Sequence, residues 1–433
     1  MGLNNQAARE YNVSKFTIFS NSNDRSCSVN RGFVSLYYHE SILENYLKAT
    51  AVIADTGYSV NDGQKLTGLI EGLDLSGGER VELKLEDGYG NILNFAEERS
   101  LYIGRIKNKI EGAMSTVFVI DLVSEEFLKN ELVENRVDIR FDGKISESIR
   151  SILTNFLKTE KDLIIENTDN EYSFIGHIEK PFYKCTWLGK RSVPEGGNGT
   201  TAGFFFYETY DGFNFRSIEK LLDSNREYKK YIQTDTTELP VGYDGKILKS
   251  VPTINIDVQQ KLMMGTYGSS VKRYNFYNTV YQENINESEI EGTDKLNLAG
   301  LNYPRLPDAL FGKPTRIITK IQPVGVMKKI DKENSNKPDY NVDEITAQAA
   351  SRYNQLFTIL LDITIAGDIS HRAGDLIYCD IPELTSDLSQ SASHKNSGLY
   401  MIVHATHFID AKEGAFTRLT LARDSDGRKP FKL

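Results

Sequence analysis

Residues 373–381 read Ala373-Gly-Asp-Leu-Ile-Tyr-Cys-Asp-Ile381, a glycine and an acid leading into an extended apolar run. Residues 77–85, Gly77-Gly-Glu-Arg-Val-Glu-Leu-Lys-Leu85, have the same make-up near the other end of the chain. The parallel continues downstream. Ser100-Leu-Tyr-Ile103 follows the first stretch as Gly398-Leu-Tyr-Met401 follows the second. Glu111-Gly-Ala-Met114 precedes Thr116-Val-Phe-Val-Ile-Asp-Leu122 as Glu413-Gly-Ala-Phe416 precedes Thr417-Arg-Leu-Thr-Leu421. Landmarks recurring in one order, each beside a strand-like run, predict a small β domain present twice. Leu101–Ile106, Leu356–Ile365, Leu376–Ile381 and Leu399–His404 supply further strands at the two ends.

The middle of the chain has a different period. Ile145, Ile149, Ile152, Leu153, Phe156 and Leu157 fall at helical spacing and predict an amphipathic helix over 144–158. A second helix starts at Pro181, a residue suited to a first turn, and runs to Leu188. A glycine-rich loop, Pro194–Gly203, leads into Gly203-Phe-Phe-Phe-Tyr-Glu-Thr-Tyr-Asp-Gly-Phe-Asn-Phe-Arg-Ser217, and a short helix follows on Ile218–Leu222. On a strand Phe204 and Phe206 face one side while Phe205 and Tyr207 face the other, so this hairpin must be covered on both faces. Asp211-Gly212 suits a tight primed turn. Residues 284–345 are polar and read as irregular surface loops, and a helix over 343–353 leads into the last β domain.

Composition narrows the function. The chain has 433 residues, enough for several domains, with 39% hydrophobic and 26% charged residues. Twenty-three Tyr and 21 Phe stand against one Trp, a bias that suits strands. The net charge of -9, from 51 basic and 60 acidic residues, argues against tight binding of nucleic acid. The N-terminal stretch has no apolar segment like that of a secretory signal, Met1-Gly2 lacks the rest of a myristoylation motif, and no run is long enough to span a membrane. Cys27, Cys185 and Cys379 lie far apart and read as reduced structural thiols made in a cytoplasm.

Catalytic motifs are missing. The loop Gly196-Gly-Asn-Gly-Thr-Thr-Ala-Gly203 has no Lys of a phosphate-binding loop and reads as a flexible connection. His404 and His407 sit at a strand end, where residues three apart point to opposite faces, and no histidine has partners at zinc spacing. Cys185, between Tyr183 and Trp187, reads as inert core, not as a nucleophile served by His177. No catalytic, cofactor-binding or metal residue is expected, and no cofactor. The chain reads as a structural protein. The rings of the hairpin, Phe204, Phe206, Tyr207, Tyr210, Phe213 and Phe215, are expected to form the core of the inserted domain and to be candidates for a subunit contact.

Three segments carry a resemblance. They are the helix, loop and hairpin from Pro181-Phe-Tyr-Lys-Cys-Thr-Trp-Leu-Gly-Lys-Arg191 to Ile218; Ala366-Gly-Asp-Ile-Ser-His-Arg-Ala-Gly-Asp-Leu-Ile377; and Ser397-Gly-Leu-Tyr-Met-Ile-Val-His404 with Thr417–Ser425. In this order the chain resembles the baseplate hub proteins of contractile-tailed bacteriophages, relatives of the hub part of type VI secretion spikes. The resemblance covers about residues 30 to 425, and 284–345 is its least matched part.

That resemblance implies a β-rich α+β fold, with two similar small β-barrel tube domains and an inserted α+β domain. The expected divisions are an N-terminal arm at 1–30, a first tube domain at 31–128 and the inserted domain at 129–245. A connecting helix and strand at 246–283, a polar arm at 284–345 and a second tube domain at 346–433 complete the chain. It also implies a homotrimer whose six barrels form a pseudo-sixfold ring in the virion, between the sixfold tail tube and the threefold central spike. The implied partners are the chain itself, the tail tube protein, the spike protein and the baseplate wedge proteins, with DNA only as transiting cargo. The C-terminal segment lacks a repetitive spike, so the spike is expected to be a separate chain. A tail-associated cell-wall hydrolase or carbohydrate-binding protein is the alternative, with Tyr207, Tyr210 and Phe213 stacking on sugars. A secretion-spike hub that delivers effectors is a third reading.

Overall fold

The computed structural model of the protein describes residues 10–61, 65–112, 115–196, 201–223, 225–236, 238–255, 257–274, 281–287, 313–321, 342–382 and 396–426. The amino-terminal module has six main strands: β1 (Tyr11–Phe19), β2 (Phe33–Ser41), β3 (Lys48–Asp55), β4 (Arg80–Asp87), β5 (Leu101–Glu111) and β6 (Thr116–Ser124). They pair antiparallel in the order β1-β4-β5-β6-β3-β2. Tyr11–Phe19, expected within an N-terminal arm, is thus the first strand of the sheet. Alternation sends Phe16, Ile18, Leu36, Tyr38, Ala51, Leu83, Leu101, Ile103 and Ile120 into one shared core. Sheet curvature brings β1 back beside the entry to β2. There the Asn30 side chain accepts from Phe16 N at 2.7 Å and donates to Val13 O at 3.0 Å.

The inserted layer contains β7 (Leu163–Ile165) and the hairpin β8 (Phe204–Thr209) and β9 (Gly212–Ser217). Helix α1 (Ile145–Ser151) continues as a π turn through Phe156, and α2 spans Pro181–Gly189 with its proline in the first turn. A short α3 (Ile218–Leu221) follows, with Ser217 capping it. The expected helices are therefore present. The hairpin turn is different: Thr209 pairs with Gly212, so Tyr210 and Asp211 are the connecting residues. Neither has a positive φ, which falls instead on Gly212 at 139°. The turn is not primed, because the glycine is needed where the chain passes Asp162. A Cβ on Gly212 would meet the Asp162 carbonyl oxygen at 2.2 Å.

The carboxy-terminal module comprises β10 (Lys229–Ile232), β11 (Gly245–Asn255), β12 (Ile359–Ala366), β13 (Leu376–Asp380), β14 (Gly398–Asp410) and β15 (Gly414–Arg423). These six strands close on themselves as β10-β11-β12-β15-β14-β13-β10. Its core holds Ile247, Leu361, Ile363, Ile377, Cys379, Tyr400, Ile402, Leu419 and Leu421. Leu356 and Phe357 stand outside β12, because helix α4 (Val342–Leu356) runs on to Leu356 before the chain turns. Tyr281–Glu287, which runs into the stretch 284–345 expected to be irregular, and Arg316–Ile321 within it are strands flanking Gly268–Tyr274. The first of them, Tyr-Gln-Glu-Asn-Ile-Asn-Glu, is polar and lacks the apolar alternation from which a strand is read. The remainder of 284–345 before the helix lies largely outside the described residues.

The two modules share one plan. In chain order β1 to β6 correspond to β10 to β15, and the neighbours around the sheet are the same, except that β10 and β11 pair to close the second barrel while, among the described residues, β1 and β2 do not pair. Gly78 N donates to Ile103 O at 2.7 Å and Ile103 N to Glu79 O at 2.9 Å; Gly374 N donates to Ile402 O at 2.8 Å and Ile402 N to Asp375 O at 2.8 Å. Both glycines have positive φ, 88° and 85°. A bulge follows Ile103 in β5 and Ile402 in β14, and another follows Phe33 in β2 and Ile247 in β11. Thr50 on β3 donates to Asp121 on β6 at 2.9 Å, while Thr420 on β15 donates to Asp362 on β12 at 2.6 Å: one cross-strand pair with its members exchanged.

The Leu-Tyr landmarks are corrected by one residue. Arg80 pairs with Tyr102 and Leu376 with Met401, so Tyr102 matches Met401 and Leu101 matches Tyr400. Both Leu101 and Tyr400 point into a barrel core, and a one-residue slip would exchange the faces. The modules also differ in one strand direction. β1 runs antiparallel to β4, but β10 runs parallel to β13.

Candidate functional site: the seam around the aromatic hairpin

β14 joins the modules. Its Gly398–Met401 end pairs with β13, its His404–Asp410 end pairs with β2, and its other edge holds β15. Beside this seam sits the hairpin. Phe204, Phe206, Phe213 and Phe215 face α1 and α2, packing with Ile149, Leu153, Phe182 and Leu188. Phe205 and Tyr207 face the opposite way, against Leu376, Leu399, Met401 and Val403 of the second barrel. Each such ring taken from water contributes about 1.5–3 kcal/mol, so the hairpin cements two cores at once.

Of the six rings named from the sequence, only Tyr210 keeps partial exposure; the other five are buried within the chain. The sugar-stacking reading is overturned here, since Tyr207 and Phe213 present no free ring face. Tyr210 at the tip lies against Phe95 with centroids at 5.4 Å, and its hydroxyl accepts from Asn94 N at 3.1 Å. The guanidinium groups of Arg99 and Arg372 lie over its ring at 4.9 and 5.0 Å.

Buried charge ties the pieces together. Glu40 on β2 accepts from Tyr38 Oη at 2.6 Å, Tyr210 N at 2.8 Å and Ala373 N at 3.1 Å. One carboxylate thereby touches the first module, the hairpin and the second module. Burial pushes its pKa up, against the pull of Arg372 and these hydrogen bonds. Glu208 on β8 accepts from Leu47 N at 3.1 Å and Ser124 Oγ at 2.7 Å. Lys161 Nζ lies 2.6 Å from both Glu208 and Glu126, with all three side chains buried. Burial opposes the lysine charge, but Glu208 and Glu126 outweigh it and hold the pKa above its ordinary value.

A cleft of about 360 Å³ opens between the hairpin and residues 370–375. Two ion pairs line it: Arg372 meets Asp211 at 3.3 Å and Arg226 meets Asp375 at 3.3 Å. Below it Asp368 accepts from Lys229 Nζ at 2.6 Å, and His371 Nε2 meets Tyr231 Oη at 2.8 Å. Burial lowers the His371 pKa to about 4 and that of His407 to about 3, leaving both rings neutral near pH 7.

The residues weighed for chemistry are dispersed. Cys185 is fully buried and burial pushes its thiol pKa up, whereas His177 is exposed. β14 extends to Asp410, so His404 and His407 lie inside a strand and not at its end; His407 bonds to Thr417 Oγ1 at 3.1 Å. Among the described residues no three His, Cys, Asp or Glu side chains gather to hold a metal, and no helix is long and apolar enough to cross a membrane. Residues 197–200 of the glycine-rich loop lie outside the described residues. The sequence reading missed Glu40, Glu208, Lys161 and Arg372. The one signal available was a single acid inside an otherwise aromatic strand, as in Phe204-Phe-Phe-Tyr-Glu-Thr209.

No family model matches the chain, and no curated protein matches it in sequence. Solved structures do match. A tail protein from Neisseria meningitidis MC58 superposes with a TM-score of 0.51 at 10% identity, covering 96% of this chain and 97% of that one. The 43 kDa tail protein of prophage MuSo2 from Shewanella oneidensis gives 0.50 at 10% identity, over 96% and 99%. A type VI secretion component from E. coli, the c3393 protein, gives 0.43 at 8% identity, over 98% and 79%. The fold is that of phage tail proteins, shared along nearly the whole length. That fold agrees with the likeness to phage tail proteins read from the sequence.

Proposed function

We propose that this chain is a structural baseplate hub of a contractile tail, non-enzymatic, acting as a homotrimeric ring between the sixfold tail tube and a threefold central spike. The observation that carries this reading is the twofold repetition of one barrel plan within a chain, joined by a continuous strand ladder. Three copies then present six similar barrels, so one face can meet six tube subunits while the other keeps threefold symmetry. Contacts between unlike faces close into a ring when the rotation between copies closes.

The partners in this reading are the chain itself, the tail tube protein, the spike as a separate chain, and the wedge proteins around the ring. Its place is the virion tail. The barrels supply stiffness, and the buried carboxylates Glu40 and Glu208 lock the inserted layer to them. A net charge of -9 disfavours adhesion of DNA passing through the ring. Native mass measurement of the full chain tests the stoichiometry. A mass of three chains is expected, and a strict dimer would contradict it.

A further inference from the structure

The internal seam has an unfilled counterpart on each flank of the chain. At the seam β14 lies antiparallel to β2, with His404 opposite Ser41 and Asp410 opposite Ser35. β5 is the counterpart of β14. One edge pairs with β6 along its length, but the other meets β4 only at Leu101 and Tyr102. Among the described residues no strand pairs with that edge from Gly104 to Glu111. β11 is the counterpart of β2. One edge holds β12, and the other meets β10 only at Gly245 and Lys246. Among the described residues that edge is unpaired from Ile247 to Asn255.

The matched ladders fix which residues would meet. In the internal seam Phe408 lies opposite Tyr37, their rings stacked with centroids at 4.5 Å. Phe408 pairs with Phe416 on β15, as Ile110 pairs with Val117 on β6, and Val117 is the counterpart of Phe416. Tyr37 pairs with Thr50 on β3, as Val251 pairs with Asp362 on β12, and Asp362 is the counterpart of Thr50. Ile110 and Val251 therefore occupy the places of the stacked pair. Both are apolar and exposed, at 68% and 44%.

A second observation is independent of their chemistry. Relative to the internal seam, β5 carries one extra residue between Lys107 and Ile110, and β11 carries one at Thr253. With Ile110 set opposite Val251, Lys107 falls opposite Ile254 and the two extra residues face each other. The ladder stays in step on both sides. Pro252 sits at the same break, where a missing N–H harms a ladder least. A bulge and a proline also blunt an edge against indiscriminate pairing, leaving a partner with the matching extra residue favoured.

We propose that copies of this chain join head to tail by strand addition, the free edge of β5 in one copy pairing antiparallel with the free edge of β11 in the next, Ile110 opposite Val251. The inference rests on the ring proposed above and names its seam. It repeats between chains the contact that β14 and β2 make within one.

The test uses the full chain carrying Ile110→Cys and Val251→Cys. Directly opposed residues of antiparallel strands lie within disulfide reach, and the native Cys27, Cys185 and Cys379 are buried. After oxidation the denatured chain is expected to shift from the one-chain to the three-chain position. An out-of-register pair, Ile110→Cys with Leu248→Cys, stays at the one-chain position. Native mass of the unmodified chain is read in parallel. Three chains by native mass without links would overturn the strand pairing and leave the ring standing. Links continuing beyond three chains would uphold the pairing and overturn closure at three. Unlinked monomers at every concentration reached would overturn both.

Discussion

Lys161 carries the buried charge balance of the inserted layer. It stands between Glu208 of β8 and Glu126, at 2.6 Å from each. Lys161→Met leaves two buried carboxylates facing each other without a cation, and a loss of about 3–5 kcal/mol is expected in denaturant unfolding. Lys48→Met removes an i,i+4 partner of the half-exposed Glu44, and a change within about 0.5 kcal/mol is expected. The histidines give a pH dependence with a definite sign. His371 and His407 titrate near 4 and 3 in the folded protein, below the ordinary value of 6.5, because burial excludes their charged forms. The unfolded chain therefore binds more protons as pH falls below 6.5, and stability drops from there toward pH 4. The Asp368 carboxyl, depressed against its burial by the Lys229 ammonium and by hydrogen bonds from Lys229 and Ser370, adds to this loss at the acid end. A melting temperature falling steadily between pH 6.5 and 4 is expected; a flat profile would contradict neutral buried rings. The two faces of the hairpin were legible because alternation alone assigns Phe204 and Phe205 to opposite sides. Glu208 and Glu40 were not, since nothing local separates them from the rest of the sixty acids in the chain until distant strands meet around them.

Gly78 and Gly374 occupy one position of the repeated element, entering β4 and β13 with φ of 88° and 85°. Their surroundings differ. A Cβ on Gly78 meets only Asn21 Oδ1, at 3.8 Å, whereas on Gly374 it meets Tyr207 Oη at 2.3 Å. Gly78→Ala is expected to cost about 1–2 kcal/mol for the left-handed backbone alone. Gly374→Ala adds displacement of Tyr207 and is expected to cost more, as thermal unfolding of the two variants side by side would show. Equal losses would contradict the packing of the hairpin on the second barrel. Strands with apolar alternation, such as Val81–Leu85 and Thr116–Leu122, were readable directly. Tyr281–Glu287 was not, because its backbone pairs while its sequence stays polar. The match of Leu-Tyr at 101 and 399 misled by one residue, because the structural counterpart is set by where Gly78 and Gly374 bond, not by side-chain identity. The primed turn failed for a tertiary reason: the approach of Asp162 places the positive φ at Gly212.

Across the whole molecule, duplication is the organising feature. The order of strands, the paired bulges and the exchanged Thr–Asp contacts recur in both modules, although β1 and β10 run in opposite senses relative to their neighbours. The chain fills one of the seams such barrels can make and leaves β5 and β11 with free edges among the described residues. The proposed threefold ring would use those edges up, removing the hazard that unpaired strands carry. Electron microscopy of the assembled tail, viewed along its axis at the level of this chain, would count the barrels and the chains in the proposed ring. Six similar barrels in a ring built from three chains are expected, with the inserted layers repeating only threefold. A ring of six chains, or a single copy on the axis, would contradict the proposal.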